Sequence, residues 1–247
     1  MEKTSLAQRL LLAALLLTGI AQAQADDTLH TDLPVPYLEQ AVSRSDQPLV
    51  IFLHGYGSNE ADLFSLREEL PDGYTYLSLR APGTVEQDAY KWFTSKREGA
   101  DYDGVTAELA SSQKLLGDFI VKAVAKYHTR ADKVVLVGFS QGAIMSYEVA
   151  LRRPASVRGI AVLSGSLLPV LHAELKPSPA LKNLAVFIGH GTDDPQLPVK
   201  DATDADQILQ GLGLTPQLHI YPGQPHSVSA MEVADLKAWL QQTLGTP

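Results

Sequence analysis

Not one of the 247 residues is a cysteine. That excludes a disulfide framework, thiolate metal sites and a cysteine nucleophile, and it leaves the redox compartment open. Basic runs are missing too. Lys and Arg number 20 against 28 Asp and Glu, a formal charge of −8, which argues against nucleic acid as the main partner. No apolar run reaches the roughly 20 residues needed to span a bilayer. No G-x-G-x-x-G and no phosphate-binding loop follows any predicted strand. His190, Asp193 and Asp194 lie close in sequence, but no second histidine stands at ligand spacing, so neither a metal nor another cofactor is expected. There is no repeat, linker or low-complexity segment, and the length suits one domain with a sizeable core.

The N-terminus points to export. Lys3 and Arg9 precede an apolar stretch from Leu10 to Ile20, and Ala21-Gln22-Ala23-Gln24-Ala25 follows with two A-x-A cleavage patterns. Charged flank, short apolar core and small-residue end are the three parts of a secretory signal peptide. Cleavage is expected before Gln24 or before Asp26. Residues 1–25 are therefore assigned to the signal peptide and 26–247 to a single catalytic domain, periplasmic or secreted, with no stable membrane anchor after cleavage.

Within that domain, short continuous apolar runs alternate with helical patterns. Leu49–Leu53 (LVIFL), Tyr74–Leu79, Val134–Val137, Gly159–Leu163 and Leu184–Ile188 read as buried strands, and Gln217–Tyr221 as a strand nearer an edge. Asn59 is placed to cap a helix running to Leu70. Thr106–His128 carries a stripe of Leu109, Leu116, Ile120, Val124 and Tyr127. Lys200–Leu212 reads as a helix, and Ser229 with Glu232 forms a capping-box pattern ahead of a last one. Residues 84–104 show no periodicity and read as a long loop. The pattern predicts an α/β fold, a mainly parallel central sheet with helices on both faces and no insertion large enough for a cap domain. Ligands are then expected beyond the carboxyl ends of the strands.

One stretch organises the chemistry. Gly138-Phe139-Ser140-Gln141-Gly142 stands between a strand and a helix, the setting of a G-x-S-x-G nucleophile elbow. A serine hydroxyl needs a base to take its proton and a carboxylate to orient that base. In this fold class the chain order is Ser, then acid, then His. Ser140 is followed by Asp193 or Asp194, with Asp194 preferred, and then by His219 and His226. His219 falls inside a strand; His226 lies in a loop beyond a strand end and is the better base. His54 comes too early in the chain and is read as structural. Oxyanion donors are expected at the backbone N–H of Gln141 and, from the loop after LVIFL, most simply at that of Tyr56. Trp92 and Phe93, lying in the unperiodic stretch, are expected to wall the substrate pocket.

These residues resemble the carboxylesterase/phospholipase branch of the α/β-hydrolases, which includes acyl-protein thioesterases. The matching segments run in family order: FLHGYG from Phe52, RAP from Arg80, WF at 92–93, GFSQGA from Gly138, SG from Ser164, HGTDDPQLP from His190 and YPGQPHS from Tyr221. The resemblance implies the α/β-hydrolase fold, with Ser140 as nucleophile, His226 as base and oxyanion donors at Tyr56 and Gln141. It selects Asp194, the fifth residue from the HG histidine, as acid. It implies hydrolysis of small-molecule or lipid carboxylic esters through an acyl-enzyme. Lysophospholipid or thioester hydrolysis is the alternative, and an acyltransferase or a non-catalytic binding module is further off. Thr94 and the charged Lys96-Arg97-Glu98 stand where many relatives carry an aspartate after WF, so a different acyl pocket is expected.

Overall fold

A computed structural model describes residues 24–43, 45–98 and 101–245. In chain order the elements are β1 (Gln24–His30), β2 (Tyr37–Ala41), β3 (Leu49–Leu53), α1 (Glu60–Phe64), β4 (Thr75–Leu79), β5 (Gly83–Glu86), β6 (Ala89–Lys91), β7 (Ser95–Glu98), β8 (Asp101–Gly104), α2 (Thr106–Lys126), β9 (Val134–Phe139), α3 (Gln141–Arg152), β10 (Gly159–Leu163), α4 (Pro169–His172), β11 (Ala185–Gly191), α5 (Lys200–Gly211), β12 (Gln217–Tyr221) and α6 (Ala230–Leu244). Eight strands form one sheet in the order β1-β2-β4-β3-β9-β10-β11-β12. From β4 to β12 all neighbours are parallel, while β2 joins β4, and β1 joins β2, antiparallel.

The continuous apolar runs are explained by two cores, one on each face. Leu49, Ile51 and Leu53 of β3 point to one face with Leu136 of β9 and Ile160 and Val162 of β10. Val50 and Phe52 point to the other with Val135, Val137, Ala161 and Leu163. Successive side chains of a strand alternate between faces, so a strand covered on both sides must be apolar throughout. The first face is covered by α2, α3 and α5 through residues such as Phe119, Ile144 and Leu209. The second is covered by α1 and α6 through Phe64, Leu236 and Trp239. Each such side chain removed from water contributes about 1.5–3 kcal/mol.

Three expectations are corrected. The stretch 84–104 is not one loop: β5 pairs with β6 and β7 with β8, both antiparallel. Their three- and four-residue strands are too short to show a period. The helix begun at Asn59 ends at Phe64 and continues only as a 3₁₀ turn, Ser65–Glu68. A polar strand, β1, not expected from the sequence, lies ahead of β2. Of the predicted signal peptide, residues 1–23 lie outside the described residues, and Gln24 and Ala25 begin β1 opposite Ala41 and Gln40. Between β10 and β11 stand only α4 and a 3₁₀ turn at Leu181–Asn183, so there is no cap domain there. Among the described residues no helix is long and apolar enough to cross a membrane.

Candidate active site

Ser140 sits where β9 turns into α3, at φ 53° and ψ −116°. A non-glycine residue with positive φ carries about 1–3 kcal/mol of strain and persists only where its surroundings hold it. Here they do. Its N–H donates to the Leu163 carbonyl at 2.9 Å, and its own carbonyl accepts from the Ile144 N–H at 3.1 Å. Strand and helix approach so closely that a Cβ on Gly138 would overlap the Gly142 carbonyl. A Cβ on Gly142 would overlap the carbonyl oxygens of Leu53 and His54. The same closeness brings the loop after β3 to the serine: a Cβ on Gly55 would stand 3.4 Å from that of Ser140.

Two backbone donors border Ser140. Gln141 opens α3, so its N–H has no partner within the helix, and Tyr56 lies in the loop beside Gly55. Neither N–H has an acceptor among the described residues. The loop carrying Tyr56 is pinned on both sides, by Gly57 N–H to Tyr90 O and Tyr90 N–H to Ser58 O, each 2.8 Å. Asn59 caps α1 through Ala61 N–H at 3.0 Å. Arg80 clasps both carboxylate oxygens of buried Glu60. Burial would raise Glu60, and the Arg80 bonds outweigh it and hold the carboxyl below its ordinary value.

His54 braces this loop. Its Nδ1 is 2.7 Å from the Gly55 carbonyl, and its Nε2 accepts from the Ala81 N–H at 3.1 Å. Those partners assign the neutral, Nδ1-protonated tautomer, and burial lowers the pKa. Trp92 and Phe93, expected as pocket wall, are instead core residues, 2% and 0% exposed. The Trp92 indole N–H donates to His54 O at 2.9 Å. The Gln141 side chain accepts from Trp92 N–H and donates to Phe93 O, both at 2.8 Å. The aromatic pair therefore faces inward because its backbone is tied to the elbow helix. No sequence signal marks this amide bridge.

The acid and the base come from the ends of β11 and β12. Asp194 Oδ1 accepts from the N–H groups of Gln196 and Leu197, at 2.8 and 2.9 Å. Its Oδ2 lies 2.6 Å from His226 Nδ1. Burial would raise its pKa, and the bonds from His226, Leu197 and Gln196 outweigh that and hold it down. Asp193 is exposed and accepts from the neighbouring Thr192 hydroxyl, so it is Asp194 that meets the imidazole. With Nδ1–H on Asp194, His226 keeps a free lone pair on Nε2. Its ring centroid is 4.8 Å from that of Phe139, the residue before Ser140. His219 is engaged elsewhere, 3.2 Å from Asp235 and stacked on Phe187. Buried His190 supports the acid loop through Leu197 O at 3.0 Å. Among the described residues no three His, Asp or Glu side chains converge as a metal site.

Comparison with known proteins bears on the family and the fold. A family model described as phospholipase/carboxylesterase matches residues 40–244. Acyl-protein thioesterase 1 of Neurospora crassa is 29% identical over 227 residues, covering 85% of this chain and 91% of that protein. That of Gibberella zeae is 30% identical over 175 residues, covering 68% and 71%. Among solved structures, esterase PE8 superposes with a TM-score of 0.71 at 30% identity over 85% of this chain and 98% of its own. The Bacillus cereus carboxylesterase superposes with a TM-score of 0.74 over 85% of this chain and 94% of its own, and at 23% identity speaks to the fold alone.

Proposed function

The chain belongs to the phospholipase/carboxylesterase family of α/β-hydrolases and is a hydrolase acting on esters, and on that premise we propose the following division of roles. Ser140 Oγ attacks the ester carbonyl carbon while His226 Nε2 takes its proton. Asp194 holds the imidazole in the required tautomer and stabilises the imidazolium. The backbone N–H groups of Tyr56 and Gln141 receive the oxyanion. On collapse the alcohol leaves with the proton from His226, and an acyl group remains on Ser140. Water, deprotonated by the same imidazole, then releases the acid. The observation that carries this reading is the 2.6 Å contact of His226 with Asp194, made beside a serine held at positive φ.

With no cap over the strand ends among the described residues, the site suits short-chain or otherwise accessible carboxylic esters. Thioester or lysophospholipid substrates form the second reading, favoured by relatives named acyl-protein thioesterase at 29–30% identity. The N-terminal pattern supports export to the periplasm or beyond as one catalytic domain. Cleavage before Gln24 leaves β1 whole, whereas cleavage before Asp26 removes its first two residues.

Ser140→Ala tests the mechanism. Hydrolysis of p-nitrophenyl esters is expected to fall at least about 10⁴-fold with the fold intact. Activity near that of the parent protein would overturn the assignment. A substrate panel varying acyl length, with a thioester and a lysophospholipid included, separates the two readings.

A further inference from the structure

Behind the His226 loop lies a polar pair that the chemistry above does not use. Glu232 stands in the first turn of α6 and is wholly buried, and Gln224 stands two residues before His226 and is 7% exposed. Gln224 Nε2 donates twice, to the Ser227 carbonyl at 2.8 Å and to Glu232 Oε2 at 2.7 Å. Its backbone carbonyl accepts from the Asp193 N–H at 3.1 Å. One residue thus joins three parts: the loop that carries Asp194, the loop that carries His226, and α6. The bonds to Gln224 and Ser227 fall on both sides of His226.

The pair is seated by sterics as well. A Cβ on Gly189 of β11 would overlap Glu232 Oε1, and a Cβ on Gly191 would overlap the Gln224 carbonyl. Ser229 Oγ accepts from the Glu232 N–H at 3.3 Å and fixes the helix start. The arrangement is not what stability alone would select. Glu232 Oε1 and Gln224 Oε1 have no partner among the described residues, and a buried polar oxygen without a partner is destabilising. An apolar pair at the same two positions would avoid that cost but would leave the His226 loop untied.

We infer that Gln224 and Glu232 are a positioning pair that fixes His226 against Asp194. The inference rests on the proposed ester hydrolysis, in which His226 is the base. A displacement near 1 Å in a catalytic group can cost about 10²-fold in rate. Gln224→Met keeps the volume and removes both donors. It is expected to lower kcat about 10- to 100-fold with KM within about threefold. Glu232→Asp keeps the charge and the helix start and withdraws the carboxylate from Gln224. It is expected to lower kcat about tenfold. Glu232→Gln still offers Gln224 an acceptor oxygen and is expected to hold kcat within about threefold.

The experiment is steady-state hydrolysis of a p-nitrophenyl ester by the full chain and these variants, together with circular dichroism and the low-field proton NMR resonance of His226 Nδ1–H. A folded Gln224→Met or Glu232→Asp protein with reduced kcat, steady KM and a shifted or broadened resonance supports the pair. Folded Gln224→Met and Glu232→Asp proteins with kcat within twofold of the parent would overturn it. His226→Ala is run alongside. If that variant stays active, the reading of the site itself fails. If it is dead while Gln224→Met is not, only the positioning role fails.

Discussion

The β9–α3 turn that carries Ser140 and the β12–α6 loop that carries His226 meet at one site but are held by different forces. At the turn, backbone packs on backbone. Gly138, Gly142 and the ends of β3 and β9 leave no room for a side chain, and the two donors without an acceptor among the described residues, at Tyr56 and Gln141, are main-chain N–H groups. At the loop, side chains hold side chains: His226 on Asp194, Asp194 on two backbone N–H groups, Gln224 on Glu232. Steric confinement is intolerant of size and indifferent to pH. A hydrogen-bonded lattice tolerates small changes of shape and responds to charge. Ser140, the proposed nucleophile, is thus fixed by the first means, and His226 and Asp194, the proposed base and acid, by the second, which leaves their charge states adjustable.

The largest effect is expected on the hydrogen-bonded side. Asp194→Asn keeps an acceptor for the Gln196 and Leu197 N–H groups, so the fold should persist. It replaces the carboxylate that selects the His226 tautomer, and kcat should fall about 10⁴-fold. Near-parental turnover in a folded Asp194→Asn protein would show that the lattice does not set the tautomer. Next comes the steric side. Gly142→Ala would press a methyl group into the carbonyl oxygens of Leu53 and His54, which belong to the central strand end and cannot yield without shifting β3. A loss of about 4 kcal/mol or more is expected, read from urea denaturation. A protein with unchanged midpoint would break the contrast between the two halves.

The same contrast governs what could be read from residues alone. Backbone-on-backbone packing demands glycine at set positions, so the G-x-S-x-G pattern was visible, and two-faced burial demands apolar runs, so LVIFL and GIAVL were visible as strands. Chain order and the loop position of His226 pointed to acid and base, but residue chemistry left Asp193 in play. What separates the two aspartates is that Thr192 donates to Asp193 while Asp194 faces the imidazole. Gln224 left no trace, because its partners lie on a loop that folds back and on the following helix. Glu232 showed only as a capping residue. Trp92 and Phe93 lacked a period and read as pocket wall. Their burial follows from the Gln141 amide bridge, which no spacing encodes. The hairpins of 83–104 escaped because strands of three or four residues are too short to write a period.

A smaller effect tests the response to charge. Burial raises the Glu232 pKa from 4.5 to about 7, aided by Asp235 and opposed by the bonds from Gln224 and the Ser229 cap. Because the folded value lies above the unfolded one, the folded state favours the protonated acid. Its contribution is complete below about pH 4.5 and is lost as pH rises to about 7. The gap corresponds to about 3 kcal/mol. Glu232→Gln cannot ionise and should gain stability relative to the parent between pH 5 and pH 8. Denaturation curves at both pH values check this, and a constant difference between the two proteins would mean that the carboxyl does not titrate in that window.

The smallest effect tests whether the steric side stores strain. Ser140 at φ 53° and ψ −116° occupies a region open to glycine and costly for any residue with a Cβ, by about 1–3 kcal/mol. Ser140→Gly removes the Cβ and with it the strain. Glycine's larger freedom in the unfolded chain offsets about 0.5–1 kcal/mol of that. The net expectation is a stabilisation of about 1 kcal/mol, or a rise of about 2–4 °C in Tm for a chain of this size. Ser140→Ala supplies the control, since it is equally without a nucleophile but keeps the Cβ and hence the strain. Two inactive proteins that differ in Tm, with glycine the higher, would locate the strain in the backbone at Ser140 rather than in its hydroxyl. Equal Tm values would mean that the turn is relaxed, and that the packing around Gly138 and Gly142 confines Ser140 without straining it.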